Sequence, residues 1–314
     1  MRPENTTFVT EFILMGLSSR RKTQILLFVV FFLMYLATIV VNLLIIILVR
    51  ADPCLHRPMY FFLTHLSGLE ICFVTTTMPQ MLAHLITGNG AISFTRCAAQ
   101  MYATTCLGCT EYLLLGAMAY DRCLAIYNPL AYAAVMSRKR QWQLTSSSWA
   151  AGFLLASLNV TGTISLPFCG SNRINHFFCE QPVVFKYTCK EARYTEPIIL
   201  MVSTLILVGP FFVILTSYGL ILYSVFWMPS RVGWRKALST CTSHLVVVTL
   251  FYSTLIFMYV RPGVDAVIDR DKQTAILYIV VTPMLNPIIY SLRNKEIHRA
   301  VVKVLRRPGL GQKN

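Results

Sequence analysis

The 314-residue sequence is 55% hydrophobic and only 13% charged, with a mean hydropathy of +0.59. A soluble globular domain carries about a quarter charged residues, so this composition excludes an ordinary soluble fold and points to lipid as the solvent. The formal net charge of +15 does not call for nucleic acid, because the basic residues form no stripe with interleaved aromatics; at helix ends and in the tail they set topology and meet anionic lipid headgroups.

A helix crosses the hydrocarbon core with roughly 20 mostly apolar residues. In chain order, seven segments qualify: 24–49, 59–85, 98–126, 144–166, 198–226, 237–260 and 274–292. The third and the last two are interrupted by polar residues. The expected fold class is an all-α membrane protein, a seven-transmembrane helix bundle read as a single domain over 1–314. Residues 1–23 form its N-terminal segment, 24–292 the bundle and 293–314 the tail. Prolines 79, 210, 283 and 287 fall inside spans, where neighbouring groups can satisfy the carbonyls they free. In 293–307, Ile297, Val301, Val304 and Leu305 recur at helical spacing against a basic remainder. That pattern predicts a short amphipathic eighth helix on the inner leaflet, without a cysteine to carry a palmitoyl anchor. The first apolar run is too long for a signal-peptide core and lacks a cleavage site, so the first helix is expected to be its own signal-anchor.

An odd number of spans puts the termini on opposite sides. The Lys/Arg balance only slightly favours an extracellular N-terminus, and Arg20-Arg21-Lys22 opposes it. Asn5-Thr6-Thr7 is a glycosylation sequon, usable only in the lumen. The same orientation gathers Cys97, Cys169, Cys179 and Cys189 on the oxidising side. Four cysteines allow three pairings, among which spacing alone does not choose. The sequon at Asn159-Val160-Thr161 lies inside the fourth span and is expected to be unused. The long segment 167–197, with three of these cysteines and Phe177-Phe178, is expected to fold over the outer mouth of the bundle.

Motifs run through the whole chain: Pro58-Met59-Tyr60-Phe61-Phe62-Leu63, Met118-Ala119-Tyr120-Asp121-Arg122, Ser217-Tyr218, the stretch KALSTCTSH from Lys236 to His244, and Pro283-Met284-Leu285-Asn286-Pro287-Ile288-Ile289-Tyr290. In this order the set resembles the odorant receptors of the rhodopsin-like superfamily of G-protein-coupled receptors. The departures are Cys123 and Tyr127 after the Asp-Arg pair, Val41 before Asn42, Glu70 where Asp is usual, and Ser253 in the stretch from Phe251 to Thr254.

The resemblance implies a plasma-membrane, multi-pass receptor for small volatile odorants that activates an olfactory stimulatory heterotrimeric G protein and raises cyclic AMP. It implies disulfides Cys97–Cys179 and Cys169–Cys189, and switch roles for Asp121, Arg122, Tyr218, Asn286, Pro287 and Tyr290, with Arg122 paired to Asp121 at rest. A charge pair at that depth is costly unless it works or snorkels. Thr104, Thr105, Gly108, Cys109 and Tyr112 share one face of the third helix by spacing, and Tyr252, Leu255, Ile256 and Tyr259 one face of the sixth. By resemblance these faces, with Val202, Ile206 and Ile279, line a mostly apolar odorant cavity; ordinary interhelical packing explains any one of them equally well. Besides Asp121 at the end of the third span, Glu70 and Glu111 are the only acids within the predicted spans. They form either a proton-sharing pair or the sodium site the resemblance implies; no other cofactor is expected.

Other classes fit less well. No Lys lies in 274–292 for a retinal Schiff base, and the outer half of the third span offers no acid to an amine. A transporter would show repeated halves or a string of intramembrane polar groups. His65, His84 and His244 are scattered without ligand spacing, and an enzyme is not expected.

Overall fold

The computed structural model describes residues 9–169, 171–189, 196–227, 241–242, 244–249, 252–253, 268–292 and 295–305; the side chains at 196, 199–200, 203, 206, 268–271, 290–292, 295, 298 and 304–305 lie outside the description. Strand β1 (Glu11–Leu14) precedes helix α1 (Arg21–Ala51) and α2 (Pro58–Thr87). Strand β2 (Ala91–Ser93) leads into α3 (Phe94–Tyr127), followed by a short α4 (Pro129–Val135) and by α5 (Arg138–Ile164), the fourth span. Strand β3 (Arg173–Ile174) and a short α6 (Gln181–Phe185) lie in the connection to α7 (Glu196–Phe226), the fifth span. The sixth span is helical at 241–242, 244–249 and 252–253. The seventh runs from α8 (Ile268–Ile276) through a π-turn at Leu277–Val281 into α9 (Thr282–Leu292), and α10 (Lys295–Leu305) is the eighth helix.

α1 is apolar all round, and the bundle sorts its faces. Phe31, Thr38, Asn42, Ile45 and Leu48 are buried, whereas Leu26, Leu33, Val40 and Ile47, spaced by two turns, are 57–64% exposed and face lipid. The helix starts three residues before the expected 24, because Arg21 is put to use. Its Nη1 donates to the carbonyls of Leu85 (3.2 Å) and Ile86 (2.6 Å) at the end of α2, which have no intrahelical partner. α2 stops there because Gly88 takes φ +72°, the left-handed conformation that closes a helix.

By length and composition, three described helices could cross a membrane: Arg21–Ala51, Pro58–Thr87 and Leu207–Phe226. α3 is more polar because it is the bundle axis, with Gln100, Thr104, Thr110, Glu111 and Asp121 buried among its neighbours. α5 is rich in hydroxyls that it satisfies within itself: Ser148 donates to the Leu144 carbonyl, Ser157 to Phe153 and Thr163 to Asn159. Gly152 lets α5 reach α3. A Cβ there would stand 2.1 Å from Thr110 Oγ1 and 2.8 Å from the Cys106 carbonyl.

One end of the bundle carries a lid. β1 pairs antiparallel with β2 (Phe12 opposite Ile92) and parallel with β3 (Ile13 opposite Arg173). Four, three and two residues are too few for a period-two pattern to show in sequence, so this sheet is an addition to the helical reading. Cys97–Cys179 ties the lid to the start of α3, and Cys169–Cys189 closes it on itself; these are the pairings the resemblance implies. Phe177 and Phe178 turn inward and are 1% exposed. Lys272 Nζ donates to the Gly16 carbonyl at 2.9 Å. α8 thus reaches beyond the expected start at 274, and its lysine is engaged at the lid.

At the other end α10 is clasped against the start of α2. Glu296 accepts from Arg57 (2.8 Å) and from the Tyr60 hydroxyl (2.7 Å), and Lys303 reaches Asp52 (3.3 Å). Ile297 and Ala300 are buried and Val301 partly so, which is the inward face of the predicted amphipathic helix; the Val304 and Leu305 side chains fall outside the described residues.

Candidate functional site

Three groups of side chains, from the lid to the opposite end, use α3 as their common wall. Nearest the lid are the expected cavity positions. Gln100 Oε1 accepts from the Cys179 N–H at 2.8 Å, fixing lid to helix. Thr104 is buried and donates to the carbonyls of Gln100 and Met101; Thr105 is half-buried. Gly108 leaves open space, since a Cβ there would meet only the Tyr112 hydroxyl at 3.9 Å. Cys109 and Ile279 are buried, and Val202 is half-buried. Tyr112 approaches Tyr252 with ring centroids 6.4 Å apart, and Tyr252 meets Phe211 at 5.0 Å. Third, fifth and sixth spans thus converge on one aromatic contact. Phe211 was not singled out in the sequence, where it is one phenylalanine among 19. Leu255, Ile256, Tyr259 and the Ile206 side chain lie outside the described residues.

Deeper in the bundle, Glu70 of α2, Glu111 of α3 and Asn286 of α9 come together. Asn286 Nδ2 donates to Glu70 Oε1 and lies 3.5 Å from Glu111 Oε1. Both carboxylates are buried, and Glu70 Oε2 has no hydrogen-bond partner among the described residues. The proline pair beside them is accounted for atom by atom. Pro287 has no N–H for the Pro283 carbonyl, and Asn42 Nδ2 takes that place at 3.3 Å. The helix widens into its π-turn just before Pro283, where Thr282 Oγ1 donates to the Leu277 carbonyl at 3.0 Å. Such widenings recur at functional sites.

At the far end of α3, Asp121 is buried and accepts from the Tyr132 hydroxyl of α4 at 2.9 Å. Arg122 donates to the Met59 sulfur of α2. The direct ion pair of Arg122 with Asp121 that the resemblance implies is not closed within 4 Å: Tyr132 holds the carboxylate, which still feels the Arg122 charge, and the guanidinium turns to Met59. There its charge acts on Tyr218 and His244. The Tyr218 hydroxyl and His244 Nδ1 are 2.6 Å apart, joining fifth and sixth spans. His244 shows no ligand spacing in the sequence; its position at the end of KALSTCTSH is the available signal. The Tyr290 side chain and Asn5 lie outside the described residues.

A helical bundle with a disulfide-pinned lid, buried polar groups along its axis and a turned-in arginine at the far end has the architecture of the rhodopsin-like receptors. Its fold matches the crystal structure of squid rhodopsin with a TM-score of 0.73 over 91% of this chain and 81% of that one, at 16% identity. The family model described as "Olfactory receptor" matches residues 31–307. Olfactory receptor 5F1 of Homo sapiens is 44% identical over 307 residues, covering 98% of both chains. Olfactory receptor 2D2 of Homo sapiens is 46% identical over 98% of this chain and 99% of that one, and olfactory receptor 6B9 of Mus musculus 44% identical over 98% and 99%. The chain belongs to the olfactory receptor family, and it is a multi-pass membrane receptor rather than an enzyme.

Proposed function

We propose that the chain is a plasma-membrane receptor that binds a small volatile odorant within the bundle and activates an olfactory stimulatory heterotrimeric G protein, raising cyclic AMP. In this reading the lid end and the N-terminus face outside, Asn5 carries a glycan, and the tail faces the cytosol. The observation that carries it is α3, one unbroken helix holding the lid disulfide at Cys97, the open face at Gly108, the aromatic contact at Tyr112 and the charges Asp121 and Arg122. A ligand against Gly108 and Tyr112 touches the same rigid rod that presents Arg122 at the other end. It shifts the resting–active equilibrium only through its different affinity for the two states. The cavity's apolar wall with a few hydroxyls suits a volatile with one polar group.

The Glu70, Glu111 and Asn286 cluster supplies oxygen donors that fit a hard monovalent cation such as sodium. Glu70 keeps an unpartnered buried oxygen, and no basic side chain pairs with either carboxylate among the described residues. Such an ion would supply the missing positive charge, leaving Asn286 as the bridge between α9 and α2.

The test is a cyclic AMP assay in cells that also express an olfactory G protein, run over a chemically broad odorant panel. Gly108→Leu places a Cβ whose nearest neighbour is the Tyr112 hydroxyl at 3.9 Å and extends a branch from this face. It should lose or shift by at least about tenfold the potency of active odorants at unchanged surface level, the loss of about 1.4 kcal/mol of binding. Unaltered potency for every active odorant would move the cavity off this face.

A further inference from the structure

A groove of about 600 Å³ lies between α1, α2 and α5, at the end of the bundle away from the lid. It takes no part in the site described above. At its mouth stand Arg50, His56, Arg57 and Arg138, all exposed. Its wall is apolar and aromatic, with Ile46, Leu69, Phe61 and Trp149, and Trp142, 52% exposed, toward the surface. Phe61 and Trp142 meet edge to face at 5.0 Å, and the His65 ring lies 4.7 Å from one and 5.4 Å from the other.

Length and charge together identify what fits. On α2 the lining runs from Arg57 to Cys72, about 22 Å of helix. That reaches from headgroup level through the roughly 15 Å of one hydrocarbon leaflet. No Asp or Glu lines the groove. Arg57 is neutralised by Glu296 at 2.8 Å, whereas Arg50 and Arg138 have no carboxylate partner among the described residues. Midway along the groove, Gly68 makes room: a Cβ there would meet nothing within 4 Å.

We propose that this groove binds one anionic phospholipid, with its phosphate between Arg50 and Arg138 and an acyl chain running past Phe61 and Gly68 along the two tryptophans. Guanidinium forks match phosphate oxygens in pairs. A zwitterionic headgroup carries its own cation to this mouth, and a sterol hydroxyl offers no charge to it. Each arginine near an anionic headgroup contributes about fivefold in affinity.

The test uses the full chain with Trp227→Phe and Trp234→Phe, which leaves Trp142 and Trp149 as its only tryptophans. It is placed in phosphatidylcholine nanodiscs, into which either brominated phosphatidylglycerol or equally brominated phosphatidylcholine is titrated while tryptophan fluorescence is read. Half-quenching is expected at an about fivefold or more lower fraction of the glycerol lipid. Arg50→Gln with Arg138→Gln should bring the two curves together. Gly68→Leu, whose Cβ meets nothing within 4 Å and whose branch extends into the groove, should do the same at an unchanged melting temperature. Coincident curves in the parent overturn the proposal, as does a preference that survives in either variant. Displacement of both brominated lipids by cholesterol without headgroup preference overturns it in favour of a sterol.

Discussion

The Tyr218 hydroxyl sits 2.6 Å from Nδ1 of His244, the rings stacked at 24° and both side chains buried. This contact holds the fifth span to the sixth at the level where Arg122 turns inward. Replacing either partner by Phe removes this buried hydrogen bond, at about 0.5–1.5 kcal/mol. The double variant Tyr218→Phe with His244→Phe removes both polar groups together and should cost less than the two single changes summed, by at least about 0.5 kcal/mol. Melting of the purified receptor in detergent reads this cycle. Strict additivity would show that the two groups are neighbours without being partners.

His176 is held in the lid between Phe177 and Phe178, and burial pushes its imidazole down to about 3. The Phe178 carbonyl, 3.2 Å from Nδ1, works against burial, and the charges of Lys272 and Lys186 act alongside burial. The folded state therefore keeps His176 neutral, whereas the unfolded chain protonates near the ordinary value of about 6.5. Stability from this group is complete above that value and is lost as pH falls from it toward about 3, at up to about 1.4 kcal/mol per pH unit. Melting temperature between pH 7 and pH 5 should fall more steeply in wild type than in His176→Phe. Parallel slopes would remove His176 as the source.

Glu70 and Glu111 share Asn286 with no basic side chain beside them among the described residues. If sodium occupies this site, replacing N-methylglucamine chloride by sodium chloride at equal ionic strength should raise the melting temperature of wild type. At ten times the dissociation constant the gain is about 1.4 kcal/mol. Glu111→Gln and Glu70→Gln should each abolish that difference. A wild type indifferent to sodium leaves protonation as what neutralises the pair.

The spans were legible in the sequence because lipid imposes a length and a composition that few soluble segments share. Even α3 and α5, more polar than their neighbours, stand out by length, and α3 also by motif. The lid sheet was not legible, since its strands are too short to carry a pattern. Nor was the use of Arg21, which reads as a topology signal and serves as a cap for α2. The residues given switch roles by resemblance stand in motifs, as do Met59 and His244, but which of them meet is not written there: Tyr132, Met59 and His244 reach Asp121, Arg122 and Tyr218 from other helices, and only the packing brings them together. Glu70 and Glu111 read as a pair in the sequence, and it is Asn286 between them that only three dimensions add. Phe211 carried no signal of its own.

The most direct measurement is cyclic AMP in cells carrying an olfactory G protein, with wild type and Arg122→Ala compared over the odorant panel at matched surface level. A dose-dependent rise in wild type that Arg122→Ala reduces by at least about a hundredfold in potency or efficacy, near 2.7 kcal/mol of coupling, is the expected result. An odorant response of equal size in Arg122→Ala would contradict the assignment of α3 as the rod that carries ligand binding to the G protein.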